Sequence, residues 1–88
     1  MIVTLDEAKL HLAITNAAQD GLIAGMLAGA EDACLRYIGG WDDEEPAPEI
    51  LRQAILSTVA ASYEGREGAG IPHEAQTLLK DLREWVFG

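Results

Sequence analysis

The chain has 88 residues, of which 49% are hydrophobic and only 6% are aromatic. A chain of this length predicts one domain with a thin margin of stability, which disfavours a large self-contained enzyme with a deep pocket. Six basic against 15 acidic residues give a formal charge of −9, which disfavours binding to nucleic-acid phosphates or to anionic membranes.

The first predicted helix is short and begins after Thr4. Thr4 and Glu7 have the spacing of a capping box, in which each side chain bonds the backbone N–H of the other residue. Its apolar residues share one helical face: Leu5, Ala8 and Leu12. We expect this helix to end between His11 and Ile14.

The second predicted helix is long and is capped by Asn16 or Asp20. Its buried stripe consists of Ile23, Leu27, Ala30, Cys34 and Tyr37. Gly25 and Gly29 each cost about 1 kcal/mol relative to alanine in a helix interior. We interpret these two glycines as positions where another helix approaches closely. The helix stops at Gly39-Gly40.

Residues 39–48 predict an acidic, proline-containing loop with four consecutive acids, Asp42 to Glu45. Pro48 suits the first turn of a third helix, where its missing N–H is harmless. From Ile50 to Ala61 apolar residues occur nearly all round this helix. This pattern predicts a central helix that packs on several sides.

A glycine-rich break at residues 68–70 precedes a fourth predicted helix. Its apolar residues align on one side: Leu78, Leu82, Trp85 and Val86. No alternating strand pattern is present in the sequence. We therefore predict an all-α fold, a small bundle of about four helices with a short first helix, in a single domain spanning residues 1–88.

Residues with catalytic or metal-binding chemistry are sparse. His11 and His73 are far apart in sequence and neither has ligand spacing with another metal-binding residue type. Cys34 is the only cysteine and lies on the apolar stripe, which favours a core position. The acids Asp42 to Glu45 lack the spacing and the glycine turn of a calcium loop. We predict no enzymatic activity, no cofactor and no metal.

The segment Tyr63-Glu64-Gly65-Arg66-Glu67 is the most distinctive of the chain. Tyr63 and Arg66 are i, i+3 neighbours with glutamates beside them. One interpretation is a helix end with weak surface ion pairs. The other is a contact site for a neighbouring subunit, because tyrosine and arginine are common interface anchors. The residues alone favour neither interpretation.

Four stretches share an order and spacing that extends over nearly the whole chain. They are Val3 to Leu12, Asp20 with the helix from Leu22 to Tyr37 and Gly39, Pro48 with Ile50 to Leu56 and the Tyr63 to Glu67 segment, and Ile71-Pro72 with Leu78-Leu79 and Arg83. Together they resemble the small head–tail connector (adaptor) proteins of long-tailed bacteriophages, the gp6-like family. The glycine-rich second helix and the acidic loop from Trp41 to Glu45 depart from the family's usual pattern.

The resemblance implies a structural virion protein whose copies form a ring, dodecameric in the family, beneath the portal protein at the head vertex. Such a ring extends the DNA channel, binds the next neck or tail-completion protein and lets DNA pass without specific binding. The implied location is the virion neck, after a stage in the bacterial host cytoplasm. Candidate contacts to a neighbouring subunit are Tyr63, Arg66 and Glu67, and candidate contacts to the portal or a neighbour are Trp85 and Phe87.

Two other classes of protein stay open at this point. A small acidic regulator or DNA mimic that binds a basic protein fits the charge of −9. A helix-turn-helix DNA-binding protein fits the opening helices less well, since residues 20–35 contain no lysine or arginine to contact bases or phosphates. We also expect no secretory leader, because no basic segment followed by an apolar run begins the chain, and no membrane span, because no stretch of about 18 apolar residues occurs.

Overall fold

The computed structural model describes residues 2–41, 47–65 and 71–87, the last four of these by their backbone only. It contains four helices: α1 (Leu5–His11), α2 (Asp20–Ile38), α3 (Glu49–Tyr63) and α4 (His73–Phe87). No strand occurs within these described ranges. The predicted all-α bundle with a short first helix is confirmed.

The start of α1 has the predicted capping box. The N–H of Glu7 donates to Oγ1 of Thr4 at 3.1 Å, and the Glu7 carboxylate accepts from the Thr4 N–H at 3.4 Å. The helix ends at His11, and the next turn is closed by Ala13, whose φ of 59° is left-handed. The Ala13 N–H donates to the carbonyl of Leu10 at 3.1 Å. Both predicted ends of α1 are therefore confirmed.

The predicted cap of α2 is wrong. The N-cap residue is Gln19, which makes no side-chain capping bond. Asn16 instead forms a local turn in which its Oδ1 accepts from the N–H of Ala18 at 3.0 Å. Asp20 is the first helical residue, and its carboxylate lies 2.8 Å from Nζ of Lys9. Asp20 is thus used to join α2 to α1.

The close helix approach predicted at Gly25 and Gly29 is also wrong. A Cβ added at either position would meet no atom of the described residues within 4 Å. Both positions lie on the exposed face of α2, opposite the buried stripe of Ile23, Leu27 and Ala30. The helix ends at Gly39, whose φ of 87° is left-handed. Glycine is suited to this position because a Cβ there is strained.

The core lies around α3, which packs against all three other helices as predicted. Its buried residues are Leu51, Ala54, Ile55, Leu56, Thr58, Val59 and Ala61. On α4 the fully buried positions are Ala75 and Leu79, Leu82 is almost so, and the predicted Leu78 is only half-buried. Of the predicted stripe, Leu82 is confirmed, Leu79 takes the buried place predicted for Leu78, and the side chains of Trp85 and Val86 lie outside the described residues.

The helices α1 and α4 lie on different flanks of the α2–α3 pair. Each packs against α2 and α3, but among the described residues α1 and α4 share no contact. The N-terminal segment extends the α1 flank, where the N–H of Ile2 donates to the carboxylate of Glu31 on α2. Val3 is fully buried beside these contacts. The two flanks therefore present separate surfaces.

Candidate assembly surfaces

Tyr63 lies at the last position of α3 and is half-buried. Its hydroxyl donates to Oε1 of Gln19 at 2.5 Å, which joins the end of α3 to the start of α2. The ring also packs against the hydrophobic core. Arg66 and Glu67 lie outside the described residues. Of this predicted contact group, the structure thus places Tyr63 alone, and its role toward a neighbouring subunit stays a prediction.

Trp85 and Phe87 fall within α4, in the part whose side chains lie outside the described residues. The preceding turn of the helix contains Arg83, whose guanidinium carbon lies 5.6 Å from the centre of the Tyr37 ring. A cation this close to a tyrosine face is attracted by the ring electrons. This contact joins Arg83 on α4 to the end of α2.

Arg52 joins three parts of the fold, a role that the sequence did not reveal. Its Nη1 donates to the backbone carbonyl of Ile2 at 2.8 Å, and its Nη2 pairs with the Glu7 carboxylate. Its Nε lies 3.4 Å from the carboxylate of Glu49. A lone cation in the apolar stretch from Ile50 to Ala61 was the available signal. Such a cation usually has a partner when it is half-buried.

Three large apolar side chains are exposed in the described part of the chain. Leu10 on α1 is 83% exposed, Leu22 on α2 is 52% exposed and Ile50 on α3 is 43% exposed. Small residues continue the exposed face of α2: Gly21, Gly25, Ala28 and Gly29. Single exposed apolar residues are ordinary, but Leu22 lies on α2 beside the small residues Gly21 and Gly25.

Cys34 is buried, with its sulfur 3.6 Å from Oγ1 of Thr58. Burial raises the pKa of the Cys34 thiol, and the hydrogen bond with Thr58 only partly offsets this effect. A protonated, inaccessible thiol is a poor nucleophile. Thr58 in turn donates to the backbone carbonyl of Ala54 at 2.8 Å. The predicted core position of Cys34 is confirmed.

His11 and His73 are both exposed and lie on different helices. Within the described ranges, no group of three or more histidine, cysteine or acidic side chains is arranged to hold a metal ion. Over the same residues, no helix combines the length and the apolar character that crossing a bilayer requires.

Comparison with known families gives one match. The family described as phage gp6-like head-tail connector protein matches residues 2–83. The chain belongs to this family. A search of curated proteins and a search of solved structures each gave no match. The predicted resemblance to the connector family is thus confirmed. It covers the capping box, all of α2 and α3, and α4 as far as Arg83.

Membership in the connector family has direct consequences. The family is structural, and its name places its members at the junction between phage head and tail. Connectors therefore interact with head and tail components and lie in the virion neck.

Proposed function

We propose that the chain, acting as one domain over residues 1–88, is a ring-forming subunit at the portal vertex. Copies, twelve in the ring of the virion, join head to tail, extend the DNA channel and bind the next neck or tail-completion protein. The subunit reaches this position from the host cytoplasm and performs no catalysis. The observation that carries the proposal is the family match over residues 2–83.

The apolar surface of the subunit supports assembly with other copies. A domain of this size buries a modest share of its surface by itself, and oligomerisation is a common way to add to it. Leu10 is 83% exposed, and Leu22 and Ile50 are exposed on two other helices. In a closed ring each interface joins two different faces, so several separate apolar positions can be covered.

The charge of the subunit supports a channel that DNA passes without binding. Of the six cations, Lys9, Arg36 and Arg52 each pair with a carboxylate. Cations that are paired with carboxylates are less available to DNA phosphates, and the formal charge of −9 repels those phosphates.

The predicted contact residues have separate roles in this proposal. Tyr63, Arg66 and Glu67 contact a neighbouring subunit, and Trp85 and Phe87 contact the portal or a neighbour. Arg66→Glu is expected to weaken assembly, and equal assembly with the parent protein would contradict this role. Removal of the residues after Leu82 is expected to abolish portal binding, and intact portal binding would contradict the second role.

Electron microscopy of the purified protein, alone and with purified portal rings, tests the proposal. We expect a ring of density on the portal, coaxial with its channel. Absence of binding to the portal, together with capture of a basic protein by the purified chain, would favour the acidic regulator or DNA mimic. A band shift with duplex DNA at low salt, where electrostatic binding is strongest, would favour the helix-turn-helix protein.

A further inference from the structure

Residues 2–12 form an N-terminal arm, made of the first residues and α1, that packs on the α2–α3 pair. The buried side chains of the arm are few and of small or medium size: Val3 and Ala8. Its other apolar contacts with the core come from half-buried residues: Ile2, Leu5 and Leu12. A segment with so little fully buried surface is among the first parts of a fold to open.

The polar contacts that hold the arm are made with side chains on α2 and α3. Among the described residues there are four: Ile2 with Glu31, Ile2 with Arg52, Glu7 with Arg52, and Lys9 with Asp20. The capping box of Thr4 and Glu7 is internal to the arm and moves with it. Every copy of the chain has the same α2–α3 pair, so a second copy offers the arm the same partners.

Residues 13–18 link the arm to α2 and contain a strained turn. Ala13 has a φ of 59°, in the left-handed region that residues with a Cβ disfavour. Ile14 is half-buried, the other five linker residues are exposed, and none of the six is charged. The strain belongs to the tight turn that folds the arm back onto its own subunit. A linker that extends away from this turn loses the strain.

The linker is long enough to carry the arm to another copy. From Leu12, the C-cap of α1, to Gln19, the N-cap of α2, an extended chain spans about 24 Å. The subunit measures 43 × 30 × 16 Å, so this reach exceeds its smallest extent. An arm released from its own subunit can therefore lie on the α2–α3 pair of a copy placed side by side.

Leu10 lies on the outer face of the arm and is 83% exposed. This is the highest value among the large apolar side chains of the described residues. An arm exchanged between two copies crosses the boundary between them, so its outer face lies between the two subunits. Exchange thus covers a leucine that the closed arm leaves in solvent.

We propose that neighbouring subunits of the ring exchange this arm, so that residues 2–12 of one copy pack on the α2–α3 pair of the next copy. This inference rests on the proposed function, because it names how ring neighbours are joined. Exchange remakes the four polar contacts and the burial of Val3 and Ala8 between chains. It adds release of the strain at Ala13 and cover for Leu10. Neighbours in a ring also hold the arm and its site at a high effective concentration.

Crosslinking of Lys9 to Asp20 in the parent protein locates the arm. The Lys9 amine lies 2.8 Å from the Asp20 carboxylate, so a carbodiimide can join the two directly. Light and heavy-isotope-labelled subunits are mixed in equal amounts, assembled alone or on purified portal, crosslinked, and digested at Leu10 and Leu12 for mass spectrometry. Exchange predicts that about half of the Lys9–Asp20 crosslinks join a light chain to a heavy chain. The unassembled mixture is the control, and its crosslinks are expected to join light to light and heavy to heavy.

Ala13→Gly tests whether strain in the closed arm favours exchange. Glycine adopts the φ of Ala13 freely, so it stabilises the closed arm and leaves the extended linker without that advantage. We expect ring formation, followed by sedimentation, to need about fivefold more protein than the parent. Ala17→Gly is the matched control, because it adds the same flexibility to the linker without relieving a positive φ. It is expected to assemble at the parental concentration.

The inference requires both results, and its failure is distinct from failure of the proposed function. If the parent forms rings but every Lys9–Asp20 crosslink stays within one isotope, the arm remains on its own subunit and only this inference fails. Loss of the crosslink on assembly overturns it too, because exchange remakes that contact. Assembly of Ala13→Gly at the parental concentration also overturns it. If the parent neither forms rings nor binds portal, the proposed function fails and this inference fails with it.

Discussion

The side chain of Arg52 on α3 donates a hydrogen bond to the backbone carbonyl of Ile2, 50 positions earlier in the chain, at 2.8 Å. The same guanidinium pairs with Glu7 on α1, while Glu31 on α2 accepts from the N–H of Ile2. Both backbone polar groups of Ile2, its N–H and its carbonyl, are thus bonded to side chains of other helices, which holds the N-terminal segment in place. This arrangement places Val3 in the core and aligns α1 against α3.

Replacing Arg52 by methionine is expected to lower the free energy of unfolding by about 2 kcal/mol, measured by urea denaturation. Methionine keeps the apolar stem but leaves the half-buried Glu7 carboxylate and the Ile2 carbonyl without this partner. Arg36→Met is the matched control, because Arg36 pairs with Asp32 at the surface. The Arg36 side chain is 80% exposed and the Asp32 side chain is 58% exposed. We expect the control to change stability by less than about 0.5 kcal/mol. Equal losses in the two variants would show that the Arg52 contacts contribute nothing specific.

Ala13→Gly is expected to stabilise the protein by about 0.5–1 kcal/mol, measured as a rise in Tm and in the urea midpoint. Ala13 has a φ of 59°, a conformation that strains any residue with a Cβ and that glycine adopts freely. Ala17→Gly in the same linker is the control, because the φ of Ala17 is not positive. Ala17→Gly only adds conformational freedom to the unfolded chain, so we expect it to leave stability unchanged or to lower it. A loss of stability in Ala13→Gly would contradict the interpretation that the backbone of Ala13 is strained.

Gly25→Ala and Gly29→Ala are each expected to raise the free energy of unfolding of the isolated subunit by about 1 kcal/mol, measured by thermal and urea denaturation. At either position the added methyl group meets no atom within 4 Å in the described part of the chain, so the gain in helix propensity is the effect that is left. Gly39→Ala is the contrasting variant, because its φ of 87° disfavours a Cβ. We expect it to lose about 1 kcal/mol. Destabilisation by alanine at position 25 or 29 would indicate a neighbour within the subunit.

Cys34 is expected to react negligibly with a thiol reagent in the folded protein and fully in urea. Burial excludes the reagent and raises the pKa of the thiol, so little thiolate is present at neutral pH. Ala28→Cys adds a thiol on the exposed face of α2 and is expected to give one rapidly reacting equivalent. Rapid reaction of the parent protein would contradict the buried position of Cys34.

The raised pKa of Cys34 also predicts the pH dependence of stability in the alkaline range. The unfolded thiol ionises near pH 9, whereas the folded thiol holds its proton to higher pH. The stabilising contribution is therefore complete below about pH 9 and is lost as pH rises through the folded pKa. Comparison with Cys34→Ala, which lacks this ionisation, isolates the effect. Parallel stability curves for the two proteins above pH 9 would contradict it.

Local patterns were sufficient to predict much of the fold. The capping box of Thr4 and Glu7 fixed the start of α1, because both of its bonds lie within four residues. The apolar pattern from Ile50 to Ala61 predicted that α3 is central, since apolar residues on every side require neighbours on every side. Long-range partners were not predictable in this way. The bonds of Arg52 to Ile2 and of Tyr63 to Gln19 depend on how helices distant in sequence cross.

The candidate assembly residues were harder to predict than the fold. Periodicity located Gly25 and Gly29 on one face of α2, but it did not show that this face is exposed to solvent in the subunit. Asn16 and Asp20 both have side chains suited to capping, yet a local turn and an ion pair with Lys9 use them instead. The roles of Arg66, Glu67, Trp85 and Phe87 depend on neighbouring molecules, which a single chain does not specify. They stay predictions.

The separation of α1 from α4 has a mechanical consequence. Because the described parts of these helices share no contact, a pulling force applied between them is transmitted through the α2–α3 pair. The seven-residue α1 buries only Ala8 and is otherwise tied to that pair by Arg52 and by the Lys9–Asp20 ion pair, whereas α4 buries Leu79 and Leu82. We therefore expect α1 to detach before α4 under such tension.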